Sequence, residues 1–132
     1  LQQRTRTALE GFLGALLSGD VAAAEALLAH DVLTLTDGRG EVRAAQVPMV
    51  GAKRVLTFLT RLMELRGTPL AVELQWLNGL PALALVYAPA KDPLLATNVV
   101  VRVELGADGR IACIHSVLTP RKLSAVRMPV PA

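Results

Sequence analysis

The sequence predicts an α+β fold in which helices pack on one face of a curved, mostly antiparallel sheet. Apolar residues recur at helical spacing up to Arg66, and strand-like alternation with glycine turns follows from Leu70 onward. A chain in which the helices come first and a meander of strands follows is typical of α+β domains. Hydrophobic residues make up 52% of the 132 residues, which is enough for a buried core. We therefore expect one domain over residues 1–132, with a short tail from about residue 119.

Three helices are predicted before the sheet. The first carries one apolar stripe at helical spacing, formed by Leu9, Phe12, Leu13, Leu16 and Leu17. Gly19 is expected to end this helix, and Asp20 to cap the next, shorter one, which ends near His30–Asp31. A third helix follows Gly51 and stops at Arg66–Gly67.

The first hairpin signal is the turn sequence Asp37-Gly38-Arg39-Gly40. It predicts two short strands, Val32–Thr36 and Glu41–Ala44. From the turn sequence alone, Asp37 is expected to be a turn residue.

The second hairpin is predicted around Asn78–Gly79, the strongest short turn signal. A two-residue turn places Trp76 opposite Pro81 and Leu74 opposite Leu83. The face predicted to be buried carries Val72, Leu74, Trp76, Leu83, Leu85 and Tyr87. The opposite face carries Glu73, Gln75, Ala82 and Ala84, and either pairs with a second copy of the chain or packs on another domain.

The third hairpin joins strands near Thr97–Leu105 and Arg110–Leu118. Even pairing places His115 on one face with Asn98, Arg102, Glu104 and Cys113. That face is either a polar pocket wall, with His115 as an acid or base, or a solvated sheet face. A curved sheet around helices leaves an open mouth suited to a small molecule. The residues predicted to line that pocket are Trp76, Tyr87, Asn98, Arg102 and His115.

Composition argues against several function classes. Aromatic residues make up only 3%, which disfavours single-stranded nucleic-acid binding. The single cysteine, Cys113, excludes an intrachain disulfide, and two histidines far apart make a metal site improbable. We expect no metal and no cofactor. The longest apolar run, Leu80–Ala90, is about half of the roughly twenty residues that a membrane helix needs. No membrane association and a cytoplasmic location are expected.

The residues offer a poor catalytic set. The aspartates lie at predicted turns or helix ends, where Asp serves as a cap or turn residue. Glu73 and Glu104 are the mid-strand carboxylates, and the sole tyrosine, Tyr87, lies on the face opposite Glu73. His115 and Glu73 are therefore weak catalytic candidates, and a non-enzymatic role is favoured.

Several motifs together resemble a known family. They are Asp31-Val32 with Asp37-Gly38-Arg39-Gly40-Glu41-Val42, then Pro48-Met49-Val50-Gly51, Asn78-Gly79-Leu80-Pro81-Ala82, and the closing Thr119-Pro120-Arg121-Lys122-Leu123. The element order resembles the NTF2-like, or SnoaL-like, cone fold. The motifs are similar to those of extracytoplasmic-function sigma factors with a SnoaL-like C-terminal extension, the SigJ type.

This resemblance implies a regulatory domain. Its expected partners are the sigma-factor N-terminal domains and RNA polymerase, with no direct DNA binding by this chain. The residues expected at the interdomain contact are Asp37, Arg39, Arg121 and Lys122. Two alternatives stay open: a stand-alone SnoaL-like isomerase or cyclase for a polyketide-like or steroid-like substrate, and a free ligand-binding or dimerisation module.

Overall fold

A computed structural model gives the fold and describes residues 2–37, 48–77, 79–88 and 98–119. The helices are α1 (Gln2–Ser18), α2 (Val21–Ala26) and α3 (Ala52–Arg66). The strands are β1 (Leu28–Asp37), β2 (Met49–Val50), β3 (Ala71–Leu77), β4 (Leu80–Val86), β5 (Asn98–Leu105) and β6 (Ile111–Thr119).

The described strands form one curved, open sheet in the order β2-β1-β6-β5-β4-β3. Strands β1 and β6 run parallel, and the other neighbouring pairs are antiparallel. Helix α1 packs on β4 and β5, and α3 packs on β1 and β2. The predicted α+β fold is confirmed.

Helix α1 ends and helix α2 begins where the turn residues predict. Leu9 and Phe12 of the α1 stripe are buried, whereas Leu17 is 41% exposed. Gly19 has a φ of 77°, the left-handed conformation that suits glycine after a helix. The Asp20 carboxylate accepts a hydrogen bond from the Ala23 backbone N–H at 3.0 Å and caps α2.

Helix α2 is shorter than predicted. It ends at Ala26, and β1 already includes His30 and Asp31, which the sequence pattern placed at the end of the helix. The cause is a long-range contact, because the Ile111 N–H donates to the Leu27 carbonyl at 2.8 Å. Leu28, the first residue of β1, is buried in the core.

Strand β1 extends beyond the predicted Val32–Thr36 at both ends. Its antiparallel neighbour in the described part of the chain is β2, with Leu33 opposite Val50. The predicted second strand, Glu41–Ala44, lies outside the described residues.

The hairpin of β3 and β4 has the predicted register. Trp76 pairs with Pro81 and Leu74 with Leu83, and Gly79 has a φ of 78°. The predicted burial holds for β4, where Leu83, Leu85 and the following Tyr87 are buried. It is wrong for Val72 and Trp76, which are 41% and 50% exposed. The reason is that β3 is the edge strand of the sheet, whereas helix α1 packs on the neighbouring strands β4 and β5.

The opposite, outer face of the sheet has its own small buried cluster. Ala82, Ala84 and Val100 are almost fully buried there, with Val86 packed against them. Since these alanines are already buried within the single chain, they offer little surface to a second copy.

The hairpin of β5 and β6 has the predicted faces but not the predicted even pairing, because the register shifts between Glu104 and Leu105. Arg102 lies opposite His115 and Glu104 opposite Cys113, and these residues share the outer face with Asn98. Within the described residues, no helix combines the length and apolar character needed to cross a membrane.

Candidate functional site

A cavity of about 420 Å³ lies between the helices and the inner face of the sheet. The helices contribute mainly aliphatic side chains: Leu9, Phe12, Leu13, Leu16, Phe58, Leu59, Leu62, Met63, Leu65 and Arg66. The sheet contributes Thr34, Thr36, Met49, Leu83, Leu85, Tyr87, Val99, Val101, Ile114 and Ser116. Its size and mostly apolar lining are typical of small-molecule sites.

Three aliphatic hydroxyl groups on β1 and β6 interrupt the apolar wall. Thr34 and Thr36 lie on β1, and Ser116 pairs with Thr36 from the neighbouring β6. Thr34 is only 3% exposed, and its Oγ1 has no hydrogen-bond partner among the described residues. A buried polar atom without a partner costs about 1–3 kcal/mol. A ligand oxygen in the cavity would remove that cost.

A second polar feature is the pair of Arg66 and Tyr87. The Arg66 guanidinium carbon lies 5.1 Å from the centre of the Tyr87 ring, a cation–π distance. Arg66 Nη2 also donates to the Ala88 carbonyl at 3.0 Å, which fixes the end of α3 against the segment after β4. Burial raises the pKa of the Tyr87 phenol, and the nearby Arg66 charge opposes this in part.

The Tyr87 phenol should titrate above its usual pKa near 10. Because the chain has a single tyrosine, absorbance of tyrosinate in an alkaline titration reports this group alone. The folded pKa exceeds the unfolded one, so the contribution of Tyr87 to stability is complete below about pH 10 and is lost as pH rises through the folded pKa. Arg66→Gln should raise the pKa further, because it removes the opposing charge. A midpoint at or below 10, with circular dichroism showing the protein still folded, would contradict this.

The predicted pocket residues divide between the two faces of the sheet. Tyr87 lines the cavity. Trp76 is on the inner face but half exposed at the edge strand, away from the cavity lining. Asn98, Arg102 and His115 lie on the outer face, because their neighbours Val99, Val101, Ile114 and Ser116 point into the cavity. The sequence interpretation had joined residues from opposite faces into one pocket.

The cavity hydroxyls and Arg66 were missed by sequence reasoning. A signal existed for Ser116, because alternation along a strand places it on the face opposite to that of His115. No comparable signal existed for Thr34. Its strand, β1, pairs in parallel with β6, which lies far away in the sequence, so no turn motif indicates the pairing.

The weak catalytic candidates lie outside the cavity. Glu73 is exposed on the edge strand, and His115 is half-buried on the outer face. In the described part of the chain, the cavity lining includes no carboxylate, histidine or cysteine. Asp37 ends β1 opposite Val117, whereas Arg39, Arg121 and Lys122 lie outside the described residues.

Comparison with known proteins identifies the fold. No family model and no curated protein matches the sequence. Among solved structures, an NTF2-like protein of Burkholderia xenovorans is 15% identical and superposes with a TM-score of 0.63, covering 91% of this chain and 92% of that one. The chain has the NTF2-like fold.

Two further solved structures that match this chain belong to proteins with different names. The extracytoplasmic function sigma factor SigJ of Mycobacterium tuberculosis matches with a TM-score of 0.75 and 22% identity over 88% of this chain. This chain spans 43% of the length of the SigJ chain. An LEH-like epoxide hydrolase of the same organism matches with a TM-score of 0.57 and 23% identity, covering 89% of this chain and 84% of that one.

Proposed function

We propose that this chain is a regulatory domain of an extracytoplasmic-function sigma factor, and that a small apolar molecule bound in its cavity sets its activity. The high structural similarity to SigJ supports the sigma-factor context, together with the motifs around Asp37, Asn78–Gly79 and Pro120. The partners would be the sigma domains and RNA polymerase, and Asp37, Arg39, Arg121 and Lys122 are proposed contact residues.

One observation carries the ligand-binding part of the proposal. The described lining of the cavity combines apolar side chains with the hydroxyls of Thr34, Thr36, Ser116 and Tyr87, and it includes no carboxylate, histidine or cysteine to act as a general base. Proton abstraction needs a carboxylate, histidine or similar group within hydrogen-bond reach of the substrate. Binding needs only apolar surface and a few placed polar groups. The cavity meets the second requirement.

The ligand chemistry follows from the lining. Leucine, valine and phenylalanine side chains favour an apolar body, and the partnerless Thr34 Oγ1 favours a ligand oxygen at the β1 wall. A charged carboxylate would lose its hydration in such surroundings at a large cost, and Arg66, which also lines the cavity, is already engaged by the Tyr87 ring and the Ala88 carbonyl. We therefore propose a neutral molecule with one hydrogen-bonding oxygen, such as an alcohol or ketone.

Calorimetric titration with decanol and decanoate tests this. We expect decanol to bind with one site and a dissociation constant on the order of 10 μM, which is about −0.6 kcal/mol per non-hydrogen atom and lies within the range for small ligands. Decanoate should bind at least tenfold more weakly, because its charge must be desolvated. Thr34→Val, which keeps the shape of the side chain, should weaken decanol binding without lowering the unfolding temperature. Failure of both probes to bind below millimolar concentration would contradict a ligand cavity.

The second candidate function is a stand-alone enzyme. The match to the LEH-like epoxide hydrolase favours this candidate. This chain covers 84% of the length of that protein but 43% of the length of the SigJ chain. An enzyme using the weak candidates would lose its turnover in His115→Ala or Glu73→Gln. Since both side chains lie outside the described cavity lining, we expect neither substitution to change ligand binding there.

A further inference from the structure

Three different donor atoms meet on the outer face of the sheet, away from the cavity. His115 Nε2 lies 3.1 Å from Glu104 Oε2 and 3.3 Å from Cys113 Sγ. All three atoms lie within 4.8 Å of one another. The sheet produces this arrangement, because Glu104 pairs directly with Cys113 and His115 is the next outward residue on the same strand.

The geometry does not fit a catalytic triad. In a Cys-His-acid triad, one imidazole nitrogen hydrogen-bonds to the nucleophile and the other nitrogen hydrogen-bonds to the carboxylate. Here the same nitrogen, Nε2, contacts both partners.

The geometry does fit a metal ion. Bonds of about 2.0–2.3 Å to a tetrahedral ion place neighbouring ligand atoms about 3.3–3.7 Å apart. The two distances at His115 Nε2 are within a few tenths of an ångström of that range. We propose that Glu104, Cys113 and His115 bind a divalent ion of the zinc type on the outer sheet face.

The donor types select the class of ion. A thiolate and an imidazole favour zinc and its transition-metal neighbours over magnesium or calcium, which prefer oxygen ligands. On binding, the Cys113 proton passes to solvent, and the thiolate and the Glu104 carboxylate together balance the ion's charge.

The site is open on one side. The Glu104 side chain is 63% exposed and that of His115 is 22% exposed, whereas Cys113 is buried. Three protein ligands at a solvent-facing position leave the fourth tetrahedral position to water. The expectation of no metal had rested on the separation of His30 and His115; the site uses His115 with ligands from two strands instead.

Titration of the full chain with Zn²⁺ and with Co²⁺ tests the proposal. We expect one ion per chain, a Zn²⁺ dissociation constant below about 100 μM, and a Co²⁺ absorption band from the thiolate. Zn²⁺ binding should weaken at least tenfold in each of three variants, Glu104→Gln, Cys113→Ser and His115→Gln. Tenfold is a lower limit, because even substitution of a residue that only hydrogen-bonds to a metal ligand lowers metal affinity by about 10- to 100-fold. Glu104→Gln changes an exposed side chain, so it keeps the test valid if the other variants fold poorly.

The matched control is His30→Gln, which removes the other histidine of the chain from an exposed position on β1. It should leave Zn²⁺ binding unchanged. Binding weaker than about 100 μM, no thiolate band with Co²⁺, or equal affinity for Zn²⁺ in wild type and Glu104→Gln would overturn the proposal.

Discussion

Thr36→Trp is expected to weaken binding of decanol at least tenfold, which corresponds to about 1.4 kcal/mol. Thr36 lines the cavity from the sheet side, so an indole there occupies space that the ligand needs. The fold should tolerate the change, because the cavity of about 420 Å³ offers room for the larger side chain. Calorimetric titration with decanol measures the loss.

The matched control for this variant is Leu35→Trp. Leu35 is the adjacent residue on β1 and pairs with His115 on the outer face, so its indole points away from the cavity. Decanol affinity should stay within about twofold of the wild type. If both variants bound decanol equally well, the ligand would be binding somewhere other than the cavity.

Ile111→Ala is expected to lower the free energy of unfolding by about 2–5 kcal/mol. Ile111 is fully buried at the start of β6, where its side chain joins the main hydrophobic core. The backbone N–H of Ile111 also donates a hydrogen bond to the Leu27 carbonyl, which holds the start of β6 in place. The cavity that the substitution leaves therefore cannot easily close. Urea unfolding followed by circular dichroism measures the change.

Leu80→Ala is the matched control for the core substitution. Leu80 also begins a strand, β4, but is 44% exposed, so its truncation removes far less buried surface. We expect a loss below about 1 kcal/mol. Comparable losses for Leu80 and Ile111 would mean that the described core is placed wrongly.

Turn chemistry made much of the sheet predictable. Asn78–Gly79 fixes a two-residue turn, and the register of β3 against β4 follows from it residue by residue. Asp20 was likewise predictable as a helix cap, because a short acidic side chain next to a helix start accepts a free backbone N–H. These signals are local, so a single sequence contains them.

Features that depend on long-range pairing were not predictable. The start of β1 at Leu28 follows from its contact with Ile111, which is distant in the chain. The exposure of Trp76 follows from its place on the edge strand, although its alternation pattern is that of a buried residue. The partnerless hydroxyl of Thr34 is visible only once β1 lies beside β6 over the cavity.

The two faces of β6 separate the two proposed sites. Ile114 and Ser116 face the cavity, whereas Cys113 and His115 face outward toward Glu104. Substitutions on one face can therefore test one site while the other serves as an internal control. Decanol binding should survive Glu104→Gln, and Zn²⁺ binding should survive Thr36→Trp.

The regulatory role is tested most directly by the intact mass of the native polypeptide, captured from its own cells with an antibody to this domain, together with the proteins that accompany it. A mass well above 14.0 kDa, with RNA polymerase subunits in the same sample, is the result we predict for a domain of a sigma factor. A mass near 14.0 kDa without polymerase subunits would contradict the sigma-factor role.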